Sequence, residues 1–125
     1  MSGVVSAIAR AVAIGGIVLA GAQPGRAAGA LAIGSCAAYG YAYDYREPQK
    51  ARVAALGKCA GNCKVVADME RSCAAYAIDG RKPCGPHGYA TAATLAGAQN
   101  AALSYCYKFG GHDCVVRAFA CDGAD

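Results

Sequence analysis

The sequence is short of the residues that most catalytic sites need. It holds two histidines in 125 residues. Each sits beside glycine, in Pro86-His87-Gly88 and Gly111-His112-Asp113, where loop polarity accounts for it. A Cys-His or Ser-His-Asp site needs a free nucleophile beside a histidine, and nothing in the pattern supplies one. The G-x-S-x-G, H-E-x-x-H and phosphate-loop patterns are absent. So is C-x-x-C, which weakens a thiol-exchange enzyme. Charge is also sparse: Asp, Glu, Lys and Arg together make up 16% of the chain, with 12 basic and 8 acidic residues spread along it. A nucleic-acid binder would show a concentrated basic stripe. The spacing of Asp44, Glu47, Asp68, Glu70, Asp79 and Asp113 marks no glycosidase-like pair. No pattern calls for a cofactor or a metal. Long apolar runs are missing too, apart from Ala11–Gly21, which is shorter than the roughly 20 residues a membrane helix needs.

That one run has a recognisable context. Met1–Arg10 carries a single positive charge, at Arg10, and Ala20-Gly21-Ala22 follows the run with small residues in an A-x-A pattern. Charged start, short apolar run and small-residue exit predict a secretory signal peptide over residues 1–22, with cleavage after Ala22 or as late as Ala28. Ala22 stands where a lipoprotein would carry its lipidated cysteine, which argues against a lipid anchor. Export to the periplasm or outside the cell follows, with no membrane span in the mature chain. Residues 29–125 form one small domain.

Cysteine is what the sequence has in quantity. All eight lie downstream of the apolar run: Cys36, Cys59, Cys63, Cys73, Cys84, Cys106, Cys114 and Cys121. An even number in a small exported chain implies a disulfide framework. Each bridge contributes about 2–4 kcal/mol, against a net stability of about 5–15 kcal/mol for a domain. A zinc site built from Cys59, Cys63, Cys106 and Cys114 is the weaker reading in an oxidising compartment.

The domain reads as two copies of one unit. Ala54-Ala55-Leu56-Gly57-Lys58-Cys59 matches Ala101-Ala102-Leu103-Ser104-Tyr105-Cys106. Cys63-Lys64-Val65 matches Cys114-Val115-Val116, and Gly40-Tyr41-Ala42 matches Gly88-Tyr89-Ala90. Leu31-Ala32-Ile33 matches Tyr76-Ala77-Ile78, each followed by a cysteine, Cys36 or Cys84. Cys73 and Cys121 read as closing the two units. Each unit is expected to run strand, strand, helix, strand. The strands are placed at Leu31–Ser35, Tyr39–Tyr45, Cys63–Val66, Ala74–Ile78 and Cys114–Ala120, with a further Gly-Tyr-Ala strand at residue 88. Pro48 suits the first turn of a helix to about Lys58, and Thr94 the N-cap of the second. The class is α+β: a pseudo-twofold duplicated β-β-α-β unit, its two helices packed on an antiparallel or mixed sheet. The repeat suggests local bridges Cys59–Cys63 and Cys106–Cys114, and long ones Cys73–Cys121 and Cys36–Cys84 between equivalent positions.

Those residues resemble the bacterial family known as domain of unknown function 4189. The likeness rests on the strand Ala30–Gly34, the Gly-Tyr-Ala strand and the Ala-x-x-Ala-Ala-Leu-x-x-Cys helix. The Cys-x-Val strand and Cys73-Ala74-Ala75-Tyr76-Ala77 extend it, from about residue 29 to residue 122. The resemblance implies an exported bacterial protein and carries over no catalytic residues. The chain departs from the usual pattern in its paired Cys36 and Cys84, and in tyrosines where a tryptophan is expected.

The most suggestive surface feature is the row Tyr39, Tyr41, Tyr43, Tyr45. At period two all four face one side of a strand, either as the wall of the core or as an aromatic strip for a protein, peptide or glycan. The expected function is a non-catalytic binding or interaction module. The alternatives are a secreted inhibitor or effector acting on another protein, and a small envelope hydrolase.

Overall fold

A computed structural model describes residues 27–123. The expected signal peptide lies outside them. Eight elements follow one another: β1 (Ala28–Ile33), β2 (Tyr39–Tyr45), α1 (Pro48–Gly57), β3 (Lys64–Met69), β4 (Ser72–Asp79), β5 (Lys82–Ala92), α2 (Leu95–Lys108) and β6 (Cys114–Asp122). The chain thus runs β-β-α-β twice. Each unit makes its own three-stranded antiparallel sheet, ordered β2-β1-β3 and β5-β4-β6, with the unit's first strand in the centre.

The helices do not share a sheet, as the repeat alone suggested. The reason lies in the central strands, which are buried on both faces. On β1, Leu31 and Ile33 meet Tyr76 and Ile78 of β4, together with Met69, Ala118 and Ala120, in a core between the two sheets. The intervening Ala30 and Ala32 meet Ala51 and Ala55 of α1. On β4, Cys73, Ala75 and Ala77 meet Ala98, Ala102 and Cys106 of α2. Large side chains thus fill the space between sheets, and small ones let each helix lie close on its own sheet. The result is four layers, helix–sheet–sheet–helix. A strand covered on both faces reads as a continuous apolar run rather than an alternation, which is how β1 and β4 read.

The two units match in detail. A Cβ on Gly40 would collide with the Ala55 carbonyl oxygen, and one on Gly88 would come within 2.5 Å of the Ala102 oxygen and 2.6 Å of the Cys106 nitrogen. Each glycine therefore sits under the last turns of its own unit's helix. The third strand of each unit also bulges at the same place, leaving Val66 of β3 and Arg117 of β6 without a partner on the central strand.

Four disulfides join Cys36–Cys84, Cys59–Cys63, Cys73–Cys121 and Cys106–Cys114, leaving no free cysteine. Cys59–Cys63 and Cys106–Cys114 each tie a helix end to the following strand. Cys36 and Cys84 lie at equivalent places, four residues ahead of Gly40 and Gly88, and link the two units. The place of Cys73 needs correction. It opens the second unit, in β4, and pairs across the ladder with Cys121 of β6. That bridge lies inside one sheet, and the first unit has no counterpart.

Candidate functional site

The tyrosine row is the first candidate surface, and the structure divides it. Tyr39, Tyr41 and Tyr43 form a ladder, with successive ring centroids 6.2 Å apart. Tyr39 and Tyr41 are half-buried against the core between the sheets, while Tyr43 is 48% exposed. Tyr45 is not part of the ladder. Strand β2 gains one residue on β1 between Ala42 and Tyr45, and Asp44 takes a left-handed φ of 65°. Such a bulge reverses the alternation beyond it, so Tyr45 packs on the α1 side with Ala51 and Ala55. The bulge is held by the second unit: the Asp44 N–H donates to Asp122 Oδ1 at 2.6 Å. Asp122 is fully buried at the end of β6, and its Oδ2 has no partner among the described residues.

Arg117, the bulged residue of β6, closes the other end of the ladder. Its guanidinium lies 5.0 Å from the centroid of Tyr39, and its Nε donates to the Ala37 carbonyl at 3.1 Å. The ladder therefore runs from a cation at the core's edge to an exposed phenol ring. Planar faces with polar tips suit stacking and hydrogen bonding at a wet surface.

A groove that the sequence reading missed lies on the other side of the molecule's pseudo-twofold. It has a volume of about 640 Å³, between β3, β5 and α2. Tyr89, Tyr105 and Phe109 wall it, 39%, 43% and 61% exposed. Tyr105 and Phe109 stack with centroids 6.1 Å apart. The i, i+4 spacing of these two, in the last turn of α2 and at its C-cap, was a visible signal, since it puts both rings on one side of the helix end. On the opposite bank stand Val66, Ala67 and Asp68. Asp68 takes a two-pronged ion pair from Arg52 of α1, at 2.8 and 2.7 Å. Those hydrogen bonds hold the Asp68 carboxyl below the usual carboxylate range.

The other titratable groups considered as catalysts lie away from both surfaces. His87 is in strand β5, not a loop, because β5 runs through Pro83 and Pro86. Its ring meets Tyr76 edge-on at 6.0 Å. His112 does lie in the turn before β6, where its N–H donates to Asp79 Oδ2 at 3.1 Å. Asp79 is 2% exposed and also accepts from the Arg81 N–H, so it pins the β4–β5 turn to the chain entering β6. Backbone donors, His112 and Arg81 foremost, lower its pKa. Asp113 pairs with Arg81 and Glu47 with Lys50 on the surface. Burial raises the Tyr76 hydroxyl pKa, as expected of a core phenol. Among the described residues, no three His, Cys, Asp or Glu side chains gather as metal ligands would. The four sulfurs of the zinc alternative are consumed in two disulfides.

No helix among the described residues is long and apolar enough to cross a membrane. No curated protein and no solved structure matches the chain. One family model does, over residues 28–121, from the first residue of β1 to the penultimate residue of β6. Both sheets, both helices and all eight cysteines fall inside that match, and the chain belongs to the family described as domain of unknown function DUF4189.

Proposed function

We propose that this protein is a non-catalytic binding or interaction module that works outside the cytoplasm, in the bacterial envelope or beyond it. The observation that carries the reading is the ladder Tyr39–Tyr41–Tyr43, rising from the core to an exposed ring and backed by Arg117. A cross-linked scaffold fixes the rings before any ligand arrives, which lowers the ordering cost of binding. Export is supported by four disulfides, which persist in oxidising compartments. The ligand class is a protein, peptide or glycan with a face that stacks on tyrosine.

The test compares the wild-type domain with a Tyr41→Ser/Tyr43→Ser variant as immobilised bait against envelope and medium fractions. A ligand retained by wild type and lost by the variant, then rebound from purified material, supports the reading. Retention indifferent to both substitutions removes the ladder as the binding surface. Turnover of envelope glycan or peptide by the purified domain would favour the hydrolase instead.

A further inference from the structure

The groove beside α2 is bordered by strand edges. β3 ends one sheet and β5 ends the other, so each turns one row of main-chain N–H and C=O groups to no strand partner among the described residues. The β5 bank shows this directly. Its pairing with β4 is regular from His87 to Ala92, yet three consecutive residues, Tyr89, Ala90 and Thr91, line the groove. Side chains alternate between faces, so one face supplies every second residue and an edge supplies all of them.

Open edges are usually blunted by proline, charge or a bulge. The first half of β5 is blunted, by Lys82, Pro83 and Pro86 and by the tether Cys84–Cys36. β3 carries its bulge at Val66. The second half of β5, Gly88–Ala92, has no proline, charge or bulge. It is the open stretch, and α2 stands beside it with its aromatic rings.

The duplication supplies an internal reference for those rings. Through the match of Ala54–Cys59 with Ala101–Cys106, the counterpart of Tyr105 is Lys58. The fold therefore has no need of an aromatic residue at that position. α2 then continues past the point where α1 stops, and its C-cap is Phe109. Charge narrows the occupant. Asp68 is cancelled by Arg52, while Lys108 lies 6.0 Å above the Tyr105 ring and makes no ion pair among the described residues. With Asp68 paired, the charge left uncompensated beside the groove is Lys108 at the Tyr105 ring, and an acidic side chain complements it.

We infer that the groove takes an extended peptide, apolar with at least one acidic residue, that adds as a strand to the free edge of β5 at Gly88–Ala92. Main-chain hydrogen bonds to β5 supply the pairing, and Tyr105 and Phe109 receive alternate side chains, as in strand addition generally. The site is separate from the tyrosine ladder and stands or falls without it.

The test uses the full disulfide-bonded domain and a pool of capped heptapeptides alternating Val, Leu or Phe with Thr or Asp. The best binder should shift the amide resonances of Gly88–Ala92. N-methylation of its alternate amides should abolish binding. Tyr105→Lys should weaken it at least about tenfold, while Tyr43→Ser should leave it unchanged. Tyr105→Lys places the first unit's own residue in the second. Phe109→Ser serves as a second variant if that one does not fold. The proposal is overturned if no peptide of the pool binds, or if N-methylated and parent peptides bind alike. Equal binding to wild type and both variants overturns it too, as does sedimentation showing the edge already closed by a second copy of the chain.

Discussion

At Gly40 and Gly88 the backbone of each unit's helix lies directly against its sheet, and the absence of a side chain there is a steric requirement. Gly88→Ala would set a methyl group against the Ala102 oxygen and the Cys106 nitrogen, both backbone atoms of a disulfide-tethered helix. Overpacking of this kind costs about 1–3 kcal/mol; we expect Gly88→Ala at or above the upper end, measured by urea unfolding. Gly57 is the contrast. It lies in the last turn of α1 with nothing within 4 Å of its would-be Cβ, so Gly57→Ala should stabilise the protein by about 0.5–1 kcal/mol. Asp79 gives a pH signature. Its folded pKa is lowered by the His112 and Arg81 N–H groups. Its contribution is therefore present above the unfolded value of about 3.9 and lost as pH falls through the lower folded one. Asp68, held down by Arg52, acts in the same window. Unfolding measured from pH 7 to pH 2 should show Asp79→Asn less stable than wild type at neutral pH. The difference should vanish at the acid end.

At the scale of elements, most of the structure was legible because the local signals agreed with the packing. Pro48 does open α1, and Thr94 does cap α2, its side chain accepting from the Gly97 N–H at 3.0 Å. Thr94→Ala should cost about 1 kcal/mol, read as a shift in the urea midpoint with an unchanged slope. The strand Tyr39–Tyr45 has the expected limits. Its side-chain alternation fails at Asp44 for a reason that local sequence does not contain. The bulge depends on a hydrogen bond from Asp44 to Asp122, 78 residues away. Asp122→Ala leaves the Asp44 N–H without that acceptor, and the cost should be about 1–3 kcal/mol. Lost amide protection at Asp44 and Tyr45 in hydrogen exchange would accompany it. β5 was only half legible, since Pro86-His87-Gly88 read as loop. Pro83 and Pro86 both fall between Lys82 and His87, a stretch with no partner on β4, so their missing N–H groups break no ladder hydrogen bond. The groove went unread for a related reason. Tyr89 and the pair Tyr105–Phe109 lie on different elements, and only the packing of α2 on β5 brings them together.

The whole molecule is a duplication whose halves have diverged on the outside. The matched motifs made the two units legible. The two-sheet arrangement was not, because an alanine-rich strand buried on both faces does not declare which partner covers which face. The parity of large and small residues on β1 and β4 carries that information once the layers are known. Cys73 was misplaced because the equal separations of Cys36–Cys84 and Cys73–Cys121, 48 residues each, suggest the same kind of link. One joins the units and the other braces a sheet. The cysteines are structure, and the candidates for function are aromatic: the ladder on the first unit and the groove walled by the second. The most direct test of this account is a non-reducing peptide map of the purified protein with prior alkylation. The predicted result is no alkylated cysteine and four linked pairs, Cys36–Cys84, Cys59–Cys63, Cys73–Cys121 and Cys106–Cys114. Free thiols at Cys59, Cys63, Cys106 and Cys114, or a metal released with them, would contradict it and return those residues to the search for a functional centre.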